Sequence, residues 1–69
     1  MTKKLIVDGM LGNIAKWLRL LGMDVQYEKN MDDDKLLELV SKEKAILITG
    51  DEELSYKAFR RNIKACLLY

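Results

Sequence analysis

Short apolar runs alternate with amphipathic stretches along this chain of 69 residues, and that alternation limits the folds open to it more than any other feature. Residues 4–7, 23–27, 45–48 and 63–68 are runs of strand length. Residues 10–21, the stretch opened by residues 30–34, and residues 49–61 separate them. Leu11, Ile14, Ala15, Leu18 and Leu21 recur at helical spacing and define a core face for the first helix. Gly22 supplies its stop. In the second helix Leu36, Leu37, Leu39 and Val40 make the apolar side, and the clustered Asp residues before them suit the positive end of a helix dipole. Thr49 and Glu52 have the spacing of a capping box for the third helix, and Asn62 can end it. Residues 45–48 are wholly apolar, as strands covered on both faces are. Strands joined by right-handed helical crossovers give a parallel sheet. The expected fold is therefore a three-layer α/β domain. Its four-stranded parallel sheet has order 2-1-3-4, and helices lie on both faces.

Length sets a second bound. Sixty-nine residues make one domain, 1–69, with a limited core. A composition 49% hydrophobic and 33% charged belongs to a globular chain. The net charge of +1 favours no class of partner. There is no His, which removes Ser–His and Cys–His catalysis and most zinc chemistry. The single Cys, Cys66, lies in an apolar run and reads as a small buried hydrophobe. The apolar stretch after the basic start stops at Asp8, too early for a signal peptide. No segment approaches a membrane span. A soluble, cytoplasmic protein is expected, with no membrane partner.

Two of the apolar runs end in acids. Leu5, Ile6 and Val7 run into Asp8, and the third strand runs through Thr49 and Gly50 into Asp51. In parallel strands both carboxylates emerge at one sheet edge, where ligands bind in open α/β folds. Carboxylates there suit a hard cation and the phosphate chemistry it supports. The competing reading is local, because Asp and Thr are also common at helix entrances. Other phosphate-handling α/β families place Asp after a first strand, but haloacid-dehalogenase-like phosphatases need a second Asp where Met10 stands. No GxGxxG or P-loop is present.

One family does match. The stretch Val7-Asp8-Gly9-Met10-Leu11-Gly12 is followed by Ala15-Lys16-Trp17-Leu18-Arg19-Leu20-Leu21-Gly22-Met23-Asp24-Val25. Asp32-Asp33-Asp34-Lys35-Leu36-Leu37 and Ile46-Leu47-Ile48-Thr49-Gly50-Asp51-Glu52-Glu53-Leu54 complete the pattern. Over nearly its whole length the chain resembles the Mut7-C RNase family of PIN-like nucleases, in a short form without the zinc ribbon. The resemblance implies a PIN-like fold and metal-dependent cleavage of RNA. By position, Asp8 matches the acid after strand one and Asp51 the acid of the T-x-D motif. Asp33 matches the acid opening the second helix, with Asp34 as the alternative. Gly50 departs from the family, which usually has Arg there. The further acid that PIN nucleases tend to carry after the last motif is also missing, and Glu52 is the nearby substitute. Asp8, Asp33 and Asp51 are thus the expected catalytic residues. With Glu52 they are the expected ligands of Mg²⁺ or Mn²⁺. With no His present, a water polarised by the ion is the expected nucleophile.

Lys16 and Arg19 on the first helix, and Lys57, Arg60 and Arg61 on the third, are candidate contacts to single-stranded RNA. The alternative is a set of merely solvated charges. Met10, Trp17 and Leu20 lie off the core stripe. They either pack on a neighbouring helix or form a homodimer face. The expected activity is a metal-dependent endoribonuclease. The alternative is a non-catalytic PIN-like interaction module that homodimerises.

Overall fold

A computed structural model describes residues 4–68, apart from the side chain of Met10. The chain runs β1 (Leu5–Asp8), a 3₁₀ turn (Gly9–Leu11), α1 (Gly12–Leu20), β2 (Val25–Glu28), α2 (Asp33–Lys42), β3 (Ile46–Thr49), α3 (Glu52–Arg60) and β4 (Ala65–Leu67). All pairings are parallel and the order is β2-β1-β3-β4, as the alternation predicts. No described helix is long and apolar enough to cross a membrane.

The strand faces explain the layering. Ile6 and Leu47 face one side and pack with Leu36, Leu37 and Val40 of α2 and Leu54 and Ala58 of α3. Leu5, Val7 and Ile48 face the other and pack with Ala15 of α1, flanked by Leu11, Ile14 and Leu18. Period-two alternation therefore feeds two cores from one central sheet. Ile6, Val7, Leu37 and Leu47 lose all contact with solvent, each burial worth about 1.5–3 kcal/mol. Two helices cover one face and one helix covers the other.

Three expectations change here. Leu21 is 76% exposed, not core. α1 ends at Leu20, and Gly22 turns the chain away with φ +86°, so Leu21 leaves the apolar stripe. Cys66 is exposed, not buried. It lies in register with Ile48, on the face where α1 is the only helix among the described residues, and it sits on an edge strand. The expected capping box is absent: Asp51 itself is the N-cap of α3, and Thr49 is the last residue of β3. Asn62 does end α3, at φ +58°, a left-handed conformation that Asn tolerates. Lys44 plays the same part after α2 at φ 53°, where the sequence offers no Gly or Asn.

The edge opposite the acids is fastened by one surface pair. Lys4 Nζ donates to Glu43 Oε1 at 2.9 Å, tying the start of β1 to the end of α2. This hydrogen bond is the main reason that the Lys4 amine is held above its ordinary pKa and the Glu43 carboxyl below its own.

Candidate active site

β1 delivers Asp8 to the C-terminal edge of the sheet, with φ −66° and ψ 147°. Asp8 stands where a cap would, yet its side chain makes no capping bond to the 3₁₀ turn that follows. Its carboxylate is instead held by the neighbouring strand: Thr49 Oγ1 donates to Asp8 Oδ2 at 3.0 Å. Thr49 is fully buried. The same hydroxyl oxygen accepts from the Asp51 amide at 3.0 Å. One buried hydroxyl therefore joins the end of β1 to the turn leading into α3.

Asp51 has a local structural role as well. Its Oδ1 accepts from the amides of Glu53 at 2.9 Å and Leu54 at 3.4 Å, satisfying two otherwise orphaned donors of α3. Both bonds fall on one carboxylate oxygen. Glu52 opens α3 and is exposed.

Asp33 stands in the first turn of α2, which follows β2 after four residues. Its carboxylate is turned toward α3, where Lys57 Nζ reaches Oδ2 at 3.3 Å. Asp34 is paired with Arg61 at 2.8 Å. These two exposed pairs tie α2 to α3, and each contributes little in water.

The register adds an acid that the motif comparison passes over. Glu28 ends β2 directly beside Asp8. Gln26 Nε2 donates to Glu28 Oε2 at 2.6 Å. The sequence signal for it is weaker than for Asp8, because Asp24 and Gln26 interrupt the run Met23–Tyr27 that precedes it.

The glycines of the first motif are explained by crowding. A Cβ on Gly9 would stand 2.7 Å from both Cα and O of Lys29, which are backbone atoms. The Gly9 carbonyl accepts from the Tyr27 hydroxyl at 2.6 Å. A Cβ on Gly12 would lie 3.2 Å from that same hydroxyl. Gly9 and Gly12 thus let β2 and its following loop close over the turn that carries Asp8. A Cβ on Gly50 would approach the Leu68 carbonyl oxygen to 3.3 Å, so glycine there seats the Thr49–Asp51 turn against the end of the chain's last strand.

Among the described residues, no group of three or more acidic, Cys or His side chains stands close enough together to hold a metal ion. A magnesium site needs less than that. Mg²⁺ keeps several waters and takes one or two protein carboxylates together with substrate phosphate oxygens. Asp8 with one neighbour, Glu28 beside it or Asp51 one hydroxyl away, offers the one or two carboxylates of such a site, and the expected set of Asp8, Asp33, Asp51 and Glu52 does not gather around one point.

The basic residues fall into two separate sets. Arg19 donates from Nε and Nη2 to the Val25 carbonyl at 3.4 and 3.3 Å, at the sheet edge away from Asp8. Lys16 is exposed on the same helix. Lys57 and Arg61 are paired as above, and Arg60 lies 5.9 Å over the Tyr56 ring. Since α1 and α3 cover opposite faces, these residues do not form one patch. Trp17 and Leu20 are 64% and 69% exposed, so neither packs on a neighbouring helix. The Met10 side chain lies outside the described residues.

No curated protein and no solved structure matches the sequence. The family model of the Mut7-C RNAse domain matches residues 3–68, which takes in every element from β1 to β4. The chain belongs to the Mut7-C RNase domain family.

Proposed function

We propose that this domain is a metal-dependent ribonuclease that hydrolyses RNA phosphodiester bonds at the C-terminal edge of its sheet. One observation carries the reading. Asp8 ends the central strand, caps nothing, and is oriented by a buried threonine that also holds the turn of Asp51. The bond from Thr49 stabilises and orients the carboxylate, but Asp8 makes no side-chain capping bond that would account for an acid at this position. Membership of an RNase family supports a phosphodiester substrate.

Asp8 and Asp51 would hold Mg²⁺ or Mn²⁺ together with a phosphate oxygen of the substrate, and the larger expected set that also includes Asp33 and Glu52 does not gather into one site among the described residues. When bound, such an ion polarises a water and offsets the charge that builds at phosphorus. The chain's own residues do the rest. Thr49 fixes the Asp8 carboxylate and leaves Oδ1 directed elsewhere. Asp51 keeps Oδ2 outside its cap. Lys57 holds Asp33 near α3 and can exchange that partner for a phosphate oxygen. The test is incubation of a single-stranded RNA pool with Mn²⁺, run beside Asp8→Asn. Cleavage by the wild type that is lost in Asp8→Asn and in EDTA supports the reading. Intact RNA after incubation with a folded, Mn²⁺-supplied wild type contradicts it.

A second reading rests on a different surface. Trp17, Leu20, Leu21 and Met23 are 64%, 69%, 76% and 40% exposed around the end of α1, a large apolar area for a domain of this size. A non-catalytic module that homodimerises through α1 would cover it, with Trp17 as the anchor. Sedimentation of the wild type and Trp17→Ala at micromolar concentration decides. A wild-type dimer that dissociates on Trp17→Ala supports this interface. A wild-type monomer, or a dimer unchanged by the substitution, removes it.

A further inference from the structure

We propose, building on the RNA-cleaving reading, that the outward face of α3 is a stacking platform for the bases of single-stranded RNA. Tyr56 and Phe59 are its aromatic surfaces. Tyr56 is 61% exposed and Phe59 76% exposed. They stand three residues apart on one helix, so their rings are neighbours on its surface. Neither contributes to the core built by Leu54 and Ala58 on the opposite side of α3. Such exposure of two aromatic rings is costly in water unless something covers them.

The charge around them identifies the occupant. None of the chain's 11 acidic residues lies beyond Glu53. Lys57, Arg60, Arg61 and Lys64 all follow it. Lys57 and Arg61 are paired with Asp33 and Asp34 of α2, which leaves Arg60 and Lys64 as the cations without an ion pair, among the described residues, beside the exposed rings. Arg60 lies 5.9 Å over Tyr56, which places a guanidinium and a π-face side by side. Phe59 borders a cleft of about 350 Å³ shared with Ser55, Ile63, Lys64 and Ala65. Alternating cations and exposed aromatic faces are what single-stranded nucleic acid binds without reading its sequence, phosphates on the cations and bases on the rings. An apolar protein partner would desolvate Arg60 and Lys64, which form no ion pair among the described residues, whereas Lys57 and Arg61 already hold Asp33 and Asp34.

The platform is also in the right place. α3 starts at the edge that carries Asp8 and Asp51 and runs back along the sheet. Phe59 lies about 12 Å along the helix axis from Asp51 at 1.5 Å per residue. About three or four stacked nucleotides cover that length at 3.4 Å each. Lys57 lies on α3 between Asp51 and Phe59, with its ammonium on Asp33 at the start of α2. A strand stacked on Tyr56 and Phe59 would therefore hold a phosphodiester a few nucleotides away at the acidic edge. This assigns to the two aromatics a positioning role toward the substrate.

The test separates binding from cleavage. A fluorescently labelled single-stranded oligouridylate is titrated by anisotropy in EDTA, where no cleavage occurs. Tyr56→Ala and Phe59→Ala are each expected to weaken binding by about fivefold or more. Tyr56→Phe and Phe59→Tyr, which keep the rings, stay within about twofold of wild type on the same stacking argument. Arg60→Ala lowers the salt dependence of binding by about 0.7 in log–log slope, and the aromatic variants leave that slope unchanged. Wild-type affinity in both alanine variants overturns the platform, as does a wild type that binds no RNA. A change in sedimentation in place of RNA affinity assigns the face to a protein partner and also overturns it. The same preparations are then given Mn²⁺. Asp8-dependent cleavage with unaltered alanine variants removes the platform alone. Lost RNA binding in the alanine variants without any wild-type cleavage keeps the platform and removes the nuclease.

Discussion

Replacing Thr49 by Val removes the hydroxyl that holds the candidate site and preserves the shape around it. The hydroxyl is fully buried, donates to Asp8 Oδ2 at 3.0 Å and accepts from the Asp51 amide at 3.0 Å. A bond to a carboxylate is worth about 1.5–3 kcal/mol, and the half-buried Asp8 takes the lower end because water can replace the lost donor. The bond from the amide contributes about 1 kcal/mol. The additional buried methyl of valine offsets about 0.8 kcal/mol. The net loss is just under about 2 kcal/mol, or roughly 7–14 °C in melting temperature for a domain of this size. Urea unfolding of the wild type, Thr49→Val, Asp8→Ala and the double variant isolates the Thr49–Asp8 bond. A coupling of about 1 kcal/mol or more is expected. Additivity within about 0.3–0.5 kcal/mol, or a Thr49→Val variant as stable as wild type, would show that the hydroxyl does not hold Asp8.

Three further outcomes are expected. Gly9→Ala should destabilise by at least about 1–3 kcal/mol, because its Cβ would meet Lys29 backbone that cannot swing aside; a melting temperature equal to wild type would refute the close approach. Asp51→Ala should cost about 1 kcal/mol through the lost cap of α3, whereas Asp51→Asn keeps the cap and stays near wild type; equal losses in both would assign the residue's structural role to its charge. The Glu43 carboxyl, held below its ordinary pKa mainly by the hydrogen bond from Lys4, binds fewer protons folded than unfolded. Its contribution is therefore full at neutral pH and lost as pH falls through the folded value. Glu43→Gln should flatten the acid limb of stability below the ordinary glutamate pKa, measured by urea unfolding, with the difference shrinking in high salt; an unchanged acid limb would remove the pair from the account.

The parts of this molecule that repeat were legible in the sequence. Alternation and handedness fixed the strand order, and the apolar periods of α2 and of β1 and β3 found their core positions. The residues that escaped depend on contacts between elements distant in sequence. Nothing local distinguishes a capping-box threonine from one whose hydroxyl reaches 41 residues back to Asp8. Gly9 reads as a turn residue, yet it is required because the backbone of Lys29 lies against it. Leu21 has the right spacing for the core, but the helix ends one residue too soon. Cys66 has an apolar neighbourhood in sequence and an uncovered face in space. Of the site, Asp8 was legible as a strand-end acid. Asp51 was legible in both of its readings, and its role as the cap of α3 is visible. Glu28 is not legible in the same way, because the polar Asp24 and Gln26 break the run before it and only the pairing of β2 with β1 sets it beside Asp8.

The central claim is that the acidic edge of the sheet takes up a divalent cation in concert with an RNA phosphate. Mn²⁺ binding, read from the electron paramagnetic resonance of the free ion, tests it most directly when the protein is saturated with a non-cleavable single-stranded RNA analogue. The account predicts that wild-type protein with RNA removes Mn²⁺ from the free pool, and that Asp8→Asn removes far less while remaining folded. Equal Mn²⁺ uptake by folded wild type and Asp8→Asn, or none by the wild type with RNA bound, would contradict it.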